Sequence, residues 1–201
     1  MKLAFICSLL LSSSVMAGGC APPKKPPKPK PVPQVSVPVP YSAVYGDSTA
    51  ITPTNGKSYA LDAMTLYKHV NYGMRDVLDS SPVVILAYGS HHSREYSPED
   101  FYTELKKEIV RYQRLGKKVV VETPSWHSER KYPGVNGSVI ILADSVIRAA
   151  ADTGAVLCNR YNAMASMGEA SVNDGVHMSM AMRTKWRDAL NKCVIEAMKV
   201  Q

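Results

Sequence analysis

Two uninterrupted apolar runs, Val83-Val84-Ile85-Leu86-Ala87 and Val119-Val120-Val121, constrain this chain more than any other feature. A strand that alternates apolar and polar residues buries one face, whereas a strand that is apolar at every position has to be covered on both. Turn residues bound the runs: Pro82 precedes the first, and Thr123-Pro124 closes the second. Between them, Ser97-Pro98-Glu99-Asp100 reads as a helix start, with Ser as N-cap, Pro in the first turn and two acids at the positive end of the helix dipole. That helix carries Phe101, Leu105, Ile109 and Tyr112 on one face and stops at Gly116. Further strands are read at 42–45 and 155–158, and further helices at 58–69, 138–152 and 179–200. Alternating strands and helices with short connections predict an α/β fold: a parallel sheet with helices on both faces.

The length of 201 residues suits one domain, and 45% hydrophobic with 20% charged residues suits a soluble core. The formal charge of +7 is unevenly placed. Five of the 24 basic residues and none of the 17 acidic ones lie in the first 40 positions, so residues 41–201 hold 19 against 17, a net charge of +2. A domain built to neutralise phosphates is thereby excluded, and no nucleic-acid partner is expected.

The N-terminus reads as an export signal. Lys2 is followed by an apolar run, Leu3 to Leu11, broken by Ser8 and too short to span a bilayer. Two processing sites compete. Ala17-Gly18-Gly19-Cys20 resembles a bacterial lipobox, in which Cys20 would take a diacylglycerol thioether, although lipoboxes usually carry Leu where Ala17 stands. Cleavage after Ala17, in Val15-Met16-Ala17, would instead release a secreted soluble form. The next segment favours the lipoprotein. Residues 21–40 hold nine of the fourteen prolines, interleaved with Lys24, Lys25, Lys28 and Lys30. Proline at that density imposes an extended polyproline II spacer, able to reach roughly 60 Å over 20 residues. The expected organisation is a signal peptide over 1–19, a lipidated Cys20 with a Pro/Lys-rich linker over 20–40, and one domain over 41–201. It places the protein in the bacterial cell envelope, periplasm-facing or outer membrane, held by an N-terminal lipid anchor, as a monomer. Cys158 and Cys193 are the two cysteines of the domain. In an oxidising compartment they either form a disulfide or remain two unlinked buried thiols.

Three places on this scaffold carry chemistry. Gly46-Asp47-Ser48 directly follows the first strand, and ligands bind beyond the carboxyl ends of strands in such sheets. Asp174-Gly175-Val176-His177 precedes the last helix, where a tight glycine turn lets the carboxylate fold back onto the imidazole. The third place combines Gly73 with Gly89-Ser90-His91-His92 after the strand at 83–87. Each motif alone is also an ordinary turn or cap. In this order, from residue 44 to about 180, they resemble the SGNH hydrolases, also called GDSL esterases and lipases.

The resemblance implies a flavodoxin-like three-layer sandwich with a parallel sheet of about five strands. It implies Ser48 as nucleophile, His177 as general base and Asp174 as its orienting acid, with no metal or organic cofactor. An acyl-enzyme mechanism follows. The oxyanion donors would be the backbone N–H groups of Ser48 and Gly73 and one side chain. The family usually places Asn in its third block, whereas this chain has His91, whose N–H can serve the same purpose. The hydroxyls of Ser90 and Ser93 are alternative donors. Asp47 and Trp126 are read as pocket residues, Trp126 equally as a core or rim aromatic. His91, His92 and His127 are not read as a metal site, because adjacent histidines in an extended loop point apart. The expected function is an envelope esterase for small acyl or acetyl esters, including those of envelope carbohydrate. The alternatives are an acyltransferase with the same triad, or a non-catalytic scaffold binding glycan or a protein partner.

Overall fold

A computed structural model describes residues 37–72, 80–90 and 96–200. The signal sequence, Cys20, the linker through residue 36, Gly73, and the segment containing His91, His92 and Ser93 lie outside the described residues. The described residues form a parallel five-stranded sheet of order β2-β1-β3-β4-β5, built from β1 Ser42–Gly46, β2 Gly56–Ser58, β3 Val83–Ala87, β4 Lys118–Glu122 and β5 Val156–Cys158. Helices α1 Leu66–Asn71, α2 Pro98–Arg114, α3 Val135–Thr153, α4 Arg160–Ala165 and α5 Met180–Ala197 accompany it. This is the α/β architecture expected from the sequence.

The continuous apolar runs are explained by what covers each face, since successive strand residues point to opposite sides. Ala43, Tyr45, Val84, Leu86, Val119 and Val121 pack with Leu66 of α1, Leu105 and Ile109 of α2, and Leu142 and Val146 of α3. Val44, Ile85 and Val120 pack on the other side with Met164 of α4 and Met182, Trp186, Leu190 and Val194 of α5. Each fully buried aliphatic side chain of this kind contributes about 1.5–3 kcal/mol of transfer free energy. Helix α2 begins as expected, with Ser97 Oγ accepting from Asp100 N at 3.1 Å and Pro98 in the first position. Cys158, at the end of β5, is disulfide-bonded to Cys193 of α5.

Two segments depart from the sequence reading. The helix expected over 58–69 is reduced to α1, because the chain before it belongs to the sheet. Gly56–Ser58 pairs with β1, and the parallel ladder runs on where Tyr59 N donates to Val44 O at 2.7 Å and Leu61 N to Gly46 O at 3.2 Å. The helix starts only after Thr65, whose Oγ1 accepts from Lys68 N at 3.2 Å. The short helix α4 has no clear sequence signal; it is capped by Asn159, whose Oδ1 accepts from Asn162 N at 3.0 Å.

Candidate active site

Strand β1 delivers the serine through a close approach that only glycine allows. A Cβ on Gly46 would lie 2.4 Å from the carbonyl oxygen of Ala87 and 3.0 Å from its Cβ, so β1 and β3 could not stay in register at their carboxyl ends. Gly46→Ala is therefore expected to lower stability by roughly 1–3 kcal/mol, the usual cost of overpacking, read as a reduced midpoint in a denaturant melt. A midpoint equal to that of the unmodified chain would show that the strand ends tolerate a side chain.

Asp47 is fully buried. Its Oδ1 accepts from Thr49 N at 2.9 Å and from Thr49 Oγ1 at 2.5 Å, and its Oδ2 accepts from Ser90 N at 3.2 Å. This corrects its reading as a pocket residue: the carboxylate is consumed in shaping the serine turn and tying it to the loop after β3. Ser90 is buried as well, its Oγ accepting from Ser125 N at 2.8 Å and Arg160 Nη2 at 3.2 Å. Ser90 is thus committed inward and does not serve as the alternative oxyanion donor.

Ser48 Oγ lies 3.0 Å from His177 Nε2, although the two residues are 129 positions apart. His177 Nδ1 lies 2.7 Å from Asp174 Oδ2, while Asp174 Oδ1 accepts the backbone N–H groups of Val176 at 3.0 Å and His177 at 2.8 Å. The His177 backbone N–H, then the imidazole and the Val176 N–H, hold the Asp174 carboxyl well below the usual carboxylate range. An ionised carboxylate facing Nδ1 requires a proton there, which leaves the Nε2 lone pair directed at the serine hydroxyl. That tautomer can accept the serine proton.

The turn bearing these groups is built locally. Gly175 adopts φ +98°, and a Cβ there would meet Lys131 Cδ at 2.8 Å. Asn173 N donates to His177 O at 2.8 Å, closing the loop. From the loop beyond β4, Ser128 N donates to Gly175 O at 2.8 Å and Lys131 Nζ to Asp174 O at 2.6 Å. Asn136, in the first turn of α3, holds the same region: its amide receives His127 N at 3.0 Å and donates to His127 O at 2.7 Å. Trp126 is partly buried and packs on the α4/α5 side of the sheet. Gly73 and His91 cannot be placed against Ser48, being outside the described residues. Among the described residues, no cluster of three or more His, Cys, Asp or Glu side chains is arranged to hold a metal, and no helix is long and apolar enough to cross a membrane.

No protein-family model and no curated protein sequence matches this chain. Solved structures do match. A lipase/acylhydrolase from Enterococcus faecalis shares 14% identity, with 81% of this chain and 97% of that one covered and a TM-score of 0.68. An acetyl xylan esterase shares 16% identity over 76% of this chain and 99% of its own, with a TM-score of 0.65. An acetylxylan esterase from Geobacillus stearothermophilus shares 11% identity over 77% and 94%, with a TM-score of 0.63. The chain therefore has the fold of these hydrolases, the one that the motif order implies.

Proposed function

We propose that this protein is a serine ester hydrolase of the SGNH type, acting on small acyl or acetyl esters of envelope carbohydrate. The observation that carries the reading is the hydrogen-bonded line from Ser48 Oγ through His177 to Asp174, at the carboxyl end of a parallel sheet. Nε2 takes the serine proton as Oγ attacks the ester carbonyl carbon, and the carbonyl π electrons move onto oxygen. The backbone N–H of Ser48, that of Gly73 and the His91 side chain are the donors assigned to this oxyanion. A donor of this kind is worth about 3–4 kcal/mol in the transition state. On collapse the bond to the alkoxy oxygen breaks, and the imidazolium Nε2–H protonates the departing alcohol. Water then repeats the sequence on the acyl-serine, releasing the acid and restoring the hydroxyl.

The likeness to two acetylxylan esterases supports an acetylated sugar as the substrate class. Cys20 is assigned as the lipid attachment point and residues 20–40 as the tether, which would hold the domain near acetylated envelope polymers. The deciding measurement is hydrolysis of a chromogenic acetyl ester by the unmodified chain and by Ser48→Ala. The serine variant should lose about 10⁶-fold in kcat; equal rates would refute the reading.

A further inference from the structure

The loops that leave the carboxyl ends of β1, β3 and β4 meet on one guanidinium. Arg160, the first residue of α4, is fully buried. Its Nη1 donates to Thr49 O at 3.1 Å, its Nη2 to Ser90 Oγ at 3.2 Å, and its Nε to Thr123 O at 3.1 Å. Nη1 also lies 3.3 Å from Glu122 Oε2, a fully buried carboxylate that accepts from Trp186 Nε1 at 3.1 Å. Burial pushes the Glu122 carboxyl up, and the guanidinium opposes that shift. Taking both charges out of water is costly, and a buried ion pair is often no more stabilising than apolar packing of equal volume. Stability is thus a weak reason for the pair. The planar fork offers another, since its fixed donors set three acceptors from three loops in one plane.

We propose that Arg160 is a positioning residue for the nucleophile. By gripping the carbonyl of Thr49, the residue after Ser48, and the hydroxyl of Ser90, whose N–H is bound by Asp47, it fixes both flanks of the serine turn. Ser48 is thereby held with its hydroxyl on His177 and its backbone N–H turned to the developing oxyanion. The proposal rests on the esterase reading, and a misplacement of about 1 Å at such a site costs on the order of 10²-fold in rate.

The test compares the unmodified chain with Arg160→Lys, which keeps the charge but loses the fork, and with the neutral pair Arg160→Met/Glu122→Gln. Four quantities are read: kcat and KM on a chromogenic acetyl ester, the rate at which a fluorophosphonate labels Ser48, and the melting temperature. Both variants should lose about 10²-fold in kcat and in labelling rate with KM nearly unchanged, and the neutral pair should melt closer to the unmodified chain than Arg160→Met alone. Ser90→Ala, which removes one of the three acceptors, should lower kcat by about tenfold and should also lower the melting temperature, since it leaves the buried donors of Ser125 and Arg160 without that oxygen. Folded Arg160→Lys working at the unmodified rate would overturn the proposal, because charge neutralisation would then suffice. Loss of fold and activity together in every variant would assign the arginine to stability and overturn it equally. An unmodified chain that neither hydrolyses the ester nor labels at Ser48 would instead remove the esterase reading itself, and this proposal with it.

Discussion

Asp174→Asn should lower kcat about 10⁴-fold with a much smaller change in KM, as for amide replacement of a triad carboxylate elsewhere. The geometry explains why one atom matters so much. Asp174 Oδ1 accepts two backbone N–H groups, so an asparagine will keep its carbonyl oxygen there and turn its NH₂ towards His177 Nδ1. Nδ1 must then accept, the imidazole proton moves to Nε2, and no lone pair faces Ser48 Oγ across the 3.0 Å contact. The pH behaviour should change as well. The folded-state carboxyl titrates below its unfolded counterpart, so its interactions favour the fold above the unfolded carboxylate range and are lost as pH falls through the folded value. Denaturant melts of Asp174→Asn and of the unmodified chain should therefore converge in strong acid and separate towards neutrality. Activity of the asparagine variant within tenfold of the unmodified chain would show that the carboxylate does not set the tautomer.

Removing the Cys158–Cys193 bridge should cost about 3–4 kcal/mol, the chain-entropy value for closing a loop over the observed sequence separation of 35. For a domain of this size that corresponds to a fall of roughly 10 °C in melting temperature. The bridge joins the end of β5 to the fourth turn of the helix that covers β4 and β5, so its loss removes the covalent tie between α5 and the strand just before Asn159 and Arg160. Thermal melts of the unmodified chain with and without reductant, beside Cys158→Ala/Cys193→Ala, measure it. A reductant-insensitive melt coinciding with that of the double variant would mean that the bridge adds nothing.

What the sequence discloses of this molecule depends on whether a residue's role is local or tertiary. Strands β3 and β4 are legible because every residue from Val83 to Ala87 and from Val119 to Val121 is apolar, a pattern set by burial on two faces. Strand β2 is not, because Gly-Lys-Ser has no apolar signal and forms only through backbone bonds offered by β1. The triad is legible because Gly46-Asp47-Ser48 and Asp174-x-x-His177 are short motifs whose turns are built locally, and the sheet then closes the gap between them. The support beneath is silent for the opposite reason. Thr49, Ser90, Glu122, Thr123 and Arg160 are polar residues in loops and at strand or helix ends, where solvent exposure is the ordinary expectation. Their burial draws on partners far along the chain, 37 positions for Arg160 on Thr123 and 111 for Arg160 on Thr49. Asp47 is hidden on the same account: its neighbours in sequence suggest a pocket, while Ser90, 43 positions on, takes its carboxylate inward.

The sheet's outer strands have a consequence for how the domain behaves in company. An exposed strand edge is a row of unpaired N–H and C=O groups on which another chain can add itself, and long flat edges invite fibres. Among the described residues both borders, β2 and β5, are strands of only three residues, and β2 carries the exposed Lys57, whose ammonium lies 4.7 Å from the Tyr59 ring centroid. A second copy would gain few ladder bonds at either border, and at β2 it would have to strip water from a cation. Crowding such domains together should therefore not join them edge to edge through their sheets.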